Sequence, residues 1–338
     1  MKILVVDDDD IALAVAKKIL ENDNHEVEIA ENVEIALEIL RSKDIQIVIS
    51  DWNMPETTGI DFCEYVRSSP TIGYIYIILV TSRSSREDML QGLSAGADDF
   101  ISKPFEPAEL LVRVRNAERV LALETTSMML FSLAKLAESK DVDTGNHLDR
   151  IRAYTLALAE QICSDPQIRK QTPPHFPKLL YQTSPLHDIG KVGIPDYVLL
   201  KPGNLNDEEW KVMKRHAEIG AETLDACLKL YPNAEYLRIA RDIAWAHHER
   251  WDGTGYPRGL KGEEIPLCAR IVALADVFDA LTMKRVYKAA LSHDVTRGII
   301  LDGSGKHFDP MVVQAFLTIE KQFIQIEKNN PDDKKVFD

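Results

Sequence analysis

The sequence predicts a multidomain chain in which an α/β, doubly wound parallel sheet precedes an all-α helical bundle. Three observations carry this reading. Short apolar runs alternate with helical periodicity up to about residue 120. Beyond that point strand patterns vanish, and no glycine occurs between Pro107 and Gly145. At 338 residues, the length itself favours more than one domain.

Lys2 to Val6 is an apolar run that ends in Asp7-Asp8-Asp9-Asp10, and Ile11, Val15, Ile19 and Leu20 then recur at helical spacing. Val27 to Ala30 is the next strand and Val33 to Leu40 the next helix. Ile45 to Ser50 stops at Asp51, Tyr74 to Val80 stops at Thr81, and Phe100 to Ser102 stops at Lys103-Pro104. Strands alternating with helices of this length predict a parallel sheet with helices on both faces. Such sheets carry their sites at the carboxyl ends of the strands, here Asp7, Asp8, Asp51, Thr81 and Lys103. Converging carboxylates suit one hard cation such as Mg²⁺, and an Asp beside it can take up a phosphoryl group. Any one of these acids could instead cap a helix; five suitable residues at strand ends argue for a site.

Pro107 suits the first position of a helix. Leu110, Leu111, Val114, Ala117, Leu121, Met128, Phe131 and Leu136 continue the apolar pattern, which predicts one connecting helix, or two nearly continuous ones, over 107–140. The spacing suits a homodimer seam without forming a clean heptad.

The second domain is expected to hold six to eight helices. Its loops fall at Ser164 to Pro177, Pro202 to Asn204 and Gly253 to Pro266. Asp143 and His147, four apart, would share one helix face. His187-Asp188 precedes Gly190-Lys191, and His216 follows Met213-Lys214-Arg215. His247-His248-Glu249 runs into the turn-rich Gly253-Thr254-Gly255-Tyr256-Pro257. Asp276 lies in the apolar run Ile271 to Leu281, where an unpaired carboxylate would be expensive to bury. A single histidine is usually just a satisfied surface or core residue, but five of the nine fall in these contexts. A bundle lined by imidazoles and carboxylates can house two or more metals.

The charge balance constrains the partners. A formal net charge of −14 argues against nucleic-acid or anionic-membrane binding, so an anionic substrate needs metals and local cations. No run approaches the roughly 20 apolar residues of a membrane span, and no signal-peptide cleavage pattern opens the chain. A cytoplasmic location is expected. Cys63, Cys163, Cys227 and Cys268 are scattered, with no CxxC pair, and read as reduced core residues.

Two resemblances sharpen these expectations. Residues 1–120 resemble a two-component receiver domain, of flavodoxin-like fold, through Asp7-Asp8, Val48-Ile49-Ser50-Asp51-Trp52-Asn53-Met54-Pro55, Thr81 and Lys103-Pro104. That likeness implies Asp51 as phospho-acceptor, with Asp7, Asp8, Asp51 and the Asn53 carbonyl around Mg²⁺. It makes Thr81, Phe100 and Lys103 the switch residues and a cognate sensor histidine kinase the donor.

Residues 125–325 resemble the HD-GYP branch of the HD phosphohydrolases, which hydrolyse cyclic di-GMP. The matching pieces are Thr144-Gly145-Asn146-His147 with Arg150, His187-Asp188-Ile189-Gly190-Lys191, His247 to Pro257, and Ala275-Asp276-Val277-Phe278-Asp279-Ala280-Leu281. The likeness implies His147, His187, Asp188, His216, His247, His248 and Asp276 as ligands of two divalent metals, with Asp188 bridging. Asp143 stands where the trinuclear form has Glu, so a third metal is open. It also implies Tyr256, Arg285 and Lys288 as substrate-binding residues, with Val286 where the family usually has Pro.

Paired metals activate a bridging water and clamp a phosphodiester, and Lys191 is placed to stabilise the developing charge. A donor set without thiolate suits iron or manganese better than zinc. The expected function is therefore phosphorylation-regulated hydrolysis of cyclic di-GMP to pGpG, GMP or both, with diguanylate cyclases among the expected partners. Another cyclic or linear dinucleotide, or a non-catalytic signalling adaptor, are the alternatives. The intact ligand set weighs against the adaptor. The polar stretch 329–338 is expected to be a disordered tail.

Overall fold

A computed structural model describes residues 1–69, 74–82, 86–140, 146–283 and 290–332. The chain divides into two compact units, Met1–Thr126 and Ser127–Asp338.

The first unit is a five-stranded parallel sheet in the order β2-β1-β3-β4-β5. The strands are β1 (Lys2–Val6), β2 (Glu26–Ala30), β3 (Ile47–Asp51), β4 (Tyr76–Thr81) and β5 (Asp99–Ser102). Helices α1 (Asp10–Asn22), α2 (Val33–Ser42), α3 (Gly59–Ser68) and α4 (Arg86–Ser94) alternate with them. Strand residues pointing to opposite faces fill two cores. Leu4, Val48, Ile77 and Leu79 pack with Phe62 on one side, and Ile3, Ile47, Ile49 and Ile78 pack with Leu13 and Leu20 on the other. Strands buried on both faces account for runs without polar alternation. Of the four opening acids, Asp9 is the cap: its side chain accepts from the Ile11 and Ala12 amides. That leaves Asp7 and Asp8 for the sheet's carboxyl edge. Strand order reverses beside β1, the switch point where ligands bind in such sheets.

The connecting helix is α5 (Pro107–Glu138). Its first turns belong to the first unit, where Leu110, Val114 and Ala117 are fully buried. Its last turns belong to the second, where Ala134 packs with Leu148, Leu186 and Leu237.

The second unit continues with α6 (His147–Ile162), α7 (Pro166–Gln171), α8 (Phe176–Thr183), α9 (Asp196–Leu199), α10 (Asp207–Leu230), α11 (Glu235–Ala246), α12 (Leu267–Thr282), α13 (His293–Asp302) and α14 (Pro310–Asn329). These nine described helices exceed the expected six to eight because α7 and α9 are only six and four residues long. The supposed loop Ser164 to Pro177 contains α7: Asp165 accepts from the Gln167 amide and Pro166 opens the helix, so a proline that reads as a loop marker here starts a helix. The main core joins Tyr154, Leu158, Ile271, Phe278, Phe316 and Phe323 from α6, α12 and α14.

The tail departs from expectation over its described part. Asn329 ends α14, and Arg150 donates to the Asn330 carbonyl at 3.0 Å and to Asp332 at 2.7 Å. The Asn146 amide also reaches Asp332, at 3.1 Å. A polar sequence becomes ordered when buried donors need acceptors. Residues 333–338 lie outside the described residues.

Candidate active site

In the first unit, Asp7, Asp8 and Asp51 bring carboxylate oxygens within 4.8 Å of one another. Lys103 donates to Asp7 Oδ2 at 2.7 Å and to Asp51 Oδ2 at 3.0 Å. Burial pushes the Asp51 carboxyl up, against the pull of Lys103. Thr81 is buried at the end of β4, Asn53 is exposed beside the cluster's loop, and Phe100 packs against the core that contains Trp52.

In the second unit a cavity of about 260 Å³ is lined by Glu138, His147, His187, Asp188, Lys191, Trp210, Met213, His216, His248, Tyr256 and Asp276 among others. Two donor sets meet there: Asp188, His216, His247 and His248, and His147, His187 and Asp276. Asp188 lies between them. Its Oδ1 is 3.2 Å from His216 Nε2 and 3.6 Å from His247 Nε2, while its Oδ2 is 3.4 Å from His187 Nε2. Lys191, three residues on, places Nζ 2.9 Å from the same Oδ2.

The ring tautomers follow from what the other nitrogens do. His187 Nδ1 lies 2.9 Å from the Ser184 carbonyl, His216 Nδ1 2.7 Å from the Met213 carbonyl, and His247 Nδ1 3.1 Å from that of Ile243. A carbonyl only accepts, so each Nδ1 carries a proton, and the Nε2 of each ring presents a lone pair once the ring is neutral. Those three Nε2 atoms and Asp188 Oδ1 are buried without a hydrogen-bond partner. Orphaned polar atoms gathered around one buried carboxylate are expensive unless cations take them, so the two donor sets fit divalent metal.

Two glycines explain how the sequence brings these groups together. A Cβ at Gly190 would sit 2.0 Å from the His216 carbonyl oxygen and 2.5 Å from the Gly220 nitrogen. The tight turn Ile189–Gly193 therefore lies backbone-on-backbone against α10, which sets His187 and Asp188 beside His216. A Cβ at Gly255 would sit 2.3 Å from the Arg250 nitrogen, so the loop after His248 folds directly back onto its own start. Glu249, a neighbour of both histidines in sequence, staples that loop by accepting from the Arg258 amide at 2.7 Å and the Leu260 amide at 3.1 Å.

Family models match both units: a response regulator receiver domain at residues 3–115 and an HD domain at residues 132–312. The chain belongs to the HD-domain family. It is a receiver-bearing HD-domain response regulator and an enzyme, since HD domains are metal-dependent hydrolases. It is 39% identical, over 99% of its own length and 81% of the other's, to a probable cyclic di-GMP phosphodiesterase of Vibrio cholerae. It is 34% identical, over 96% and 89% respectively, to a cyclic di-GMP phosphodiesterase response regulator of Xanthomonas campestris. A 3'3'-cGAMP-specific phosphodiesterase of Vibrio cholerae is 36% identical over 69% of this chain, which spans 40% of that protein. No described helix is long and apolar enough to cross a membrane.

In this HD-domain response regulator the carboxylate most deeply buried on α12 is Asp279, at 1% exposure, whereas the Asp276 side chain is 23% exposed. The sequence had pointed to Asp276 as the costly one. Asp279 Oδ2 lies 2.7 Å from His147 Nδ1, and Asp279 accepts from Arg150 Nε at 2.6 Å. Asp279 thus orients His147, and Arg150 orients Asp279. Asp279 stood within a quoted motif, but nothing in the sequence assigned it that role. Glu138 was missed altogether. It lines the cavity from the last turn of α5, with its carboxyl pushed up to about 7 by burial against the pull of His147 and His187.

Tyr256 also lines the cavity, but its ring is engaged. His248 stacks on it with centroids 4.7 Å apart, and Lys214 Nζ lies over it at 5.0 Å. Asp143, Arg285 and Lys288 lie outside the described residues, as does the departure at Val286. His147 is the first residue of α6, and the expected sharing of a helix face with Asp143 falls outside the described residues.

The metal-free ligand set also fixes a pH dependence. Burial works against a charged His187, but Asp188 outweighs it and holds the ring up to about 9. His147 is raised as well, by Asp279 against its burial, whereas burial holds His247 and His248 down. At pH 7 the His187 ring, held up to about 9, carries a proton that a metal must displace, so affinity should climb as pH rises toward about 9. Calorimetric Mn²⁺ titration at pH 7, in two buffers of different ionisation enthalpy, should register release of about one proton or more. Binding without proton release would contradict this charge assignment.

Proposed function

We propose that the chain is a phosphorylation-regulated, metal-dependent phosphodiesterase that hydrolyses cyclic di-GMP to pGpG, GMP or both. The observation that carries the reading is the Asp188 carboxylate, set between two groups of imidazoles in which the buried Nε2 atoms of His187, His216 and His247 lack hydrogen-bond partners. His147, His187, Asp188, His216, His247, His248 and Asp276 would hold two divalent ions, with Asp188 bridging; iron or manganese suits such donors better than zinc. When bound, such a pair supplies a lowered water pKa and Lewis acidity toward a phosphoryl oxygen.

The chain's own groups do the rest. Lys191 Nζ, held 2.9 Å from Asp188, directs a positive charge into the cavity where the phosphoryl oxygens gather negative charge. Ser184, Met213, Ile243 and Asp279 keep the imidazoles aimed through their Nδ1 protons. Arg285 and Lys288 are assigned to the substrate's phosphates and Asp143 to a third ion, on the family resemblance alone. The relatives named for cyclic di-GMP favour that substrate, and the relative named for 3'3'-cGAMP supports the second reading, a mixed cyclic dinucleotide. Chromatography of digests of both dinucleotides by Mn²⁺- or Fe²⁺-loaded protein tests the proposal, and turnover of neither would refute it.

Regulation rests on Asp51. A sensor histidine kinase is the donor this arrangement implies, with Asp7, Asp8, Asp51 and the Asn53 carbonyl holding Mg²⁺ and Thr81, Phe100 and Lys103 as the switch. Asp51→Asn should eliminate labelling by acetyl phosphate in the presence of Mg²⁺; labelling that persists would place the acceptor elsewhere. Homodimerisation belongs to the same reading, since exposed Met129, Leu133 and Leu136 recur at i, i+4 and i+7 along α5. Diguanylate cyclases, which make the substrate, remain the proposed protein partners.

A further inference from the structure

The described part of the cavity is too small to enclose the proposed substrate. Its volume of about 260 Å³ falls below the roughly 300–1,000 Å³ of sites that enclose a drug-sized ligand. A bis-purine dinucleotide with one phosphodiester at the Asp188 cluster must therefore leave at least one base at the mouth. A purine there needs an aromatic face on which to stack.

Apart from the imidazoles, the aromatic side chains among the described lining residues are Tyr256 and Trp210. The Tyr256 ring has an imidazole stacked on it and an ammonium over it, so it offers a hydroxyl rather than a platform. Trp210 differs. It lies on α10 at i, i+3 and i+6 with Met213 and His216, all three of which line the cavity. His216 is buried at the cluster, whereas Trp210 is 48% exposed. One helix face thus runs from metal donor to open indole, and its six-residue span covers about 9 Å at 1.5 Å per residue, roughly the reach from a phosphate to its base.

We propose that Trp210 is the stacking platform for one purine of the substrate, a binding and specificity residue that does not touch the reacting atoms. The proposal rests on the dinucleotide reading above. Stacking is sequence-tolerant because every base has a π-face; Trp210 therefore favours purine dinucleotides as a class, and other contacts choose between guanine and adenine.

The test uses the full, metal-loaded chain with cyclic di-GMP as probe. Trp210→Ala should raise KM about tenfold with kcat changed by no more than about twofold, and Trp210→Phe should recover most of the loss. Cyclic di-GMP should also quench tryptophan emission of the unsubstituted chain, and Trp210→Phe should lose that quenching although Trp52, Trp245 and Trp251 remain. An unchanged KM in Trp210→Ala, or quenching retained in Trp210→Phe, overturns the proposal. The quenching arm needs no turnover. Failure of the unsubstituted chain to hydrolyse cyclic di-GMP would count against the phosphodiesterase reading, while quenching would still decide the role of Trp210.

Discussion

Asp188→Ala should abolish phosphodiester hydrolysis while the helical unit stays folded. The carboxylate it removes faces His216 and His247 with one oxygen and His187 and Lys191 with the other. Among the described residues, the other carboxylate of the two donor sets, Asp276, groups with His147 and His187 only. The loss should exceed the roughly 10–100-fold that follows from changing groups behind a ligand, because here a ligand shared by both donor sets disappears. Alanine leaves the apolar core around Tyr154, Phe278 and Phe323 untouched, so far-UV circular dichroism should not change. Turnover retained in protein shown by elemental analysis to be metal-loaded would remove Asp188 from the mechanism.

Gly190→Ala should be the more destructive change, although it touches no ligand atom. Its methyl would meet two backbone atoms of α10, the His216 oxygen and the Gly220 nitrogen, at 2.0 and 2.5 Å. Backbone cannot swing aside as a flexible side chain can, so the turn must lift away and carry His187 and Asp188 with it. Overpacking typically costs about 1–3 kcal/mol, and a backbone clash belongs at the upper end. At roughly 2–4 °C per kcal/mol for a unit of this size, Tm should drop by about 6–12 °C. Thermal unfolding beside a metal titration measures both effects. A variant with parental Tm and full metal content would show that the turn does not need its close approach.

Much of this was legible in the sequence, and the parts that were not share a cause. The sheet was legible mainly through three strands that are apolar runs stopping at a polar residue: Val6 at Asp7, Ser50 at Asp51, Val80 at Thr81. The histidine-aspartate pair and the double histidine were legible because sequence-adjacent candidate ligands leave a local mark. The His147–Asp279 pair leaves none, since its members are 132 residues apart and only folding joins them. Glu138 was hidden for a similar reason, at the end of a helix read as a connector. Trp210 carried no signal either, because an exposed indole at the start of α10 is common until a cavity is found beside it. The short helices α7 and α9 escaped because their prolines and length resemble loop punctuation.

The clamp on Arg150 has a consequence for the order in which the site is completed. Arg150 reaches forward to Asp279 and then to Asp332, 182 residues downstream, and the Asn146 beside His147 bonds the same carboxylate. During synthesis the nascent chain presents His147, His187, Asp188, His216, His247, His248 and Asp276 well before that final acceptor leaves the ribosome. The cluster thus acquires this fastening only after residue 332 has been made, and a product released short of Asp332 would carry every candidate ligand yet lack the brace on the first of them.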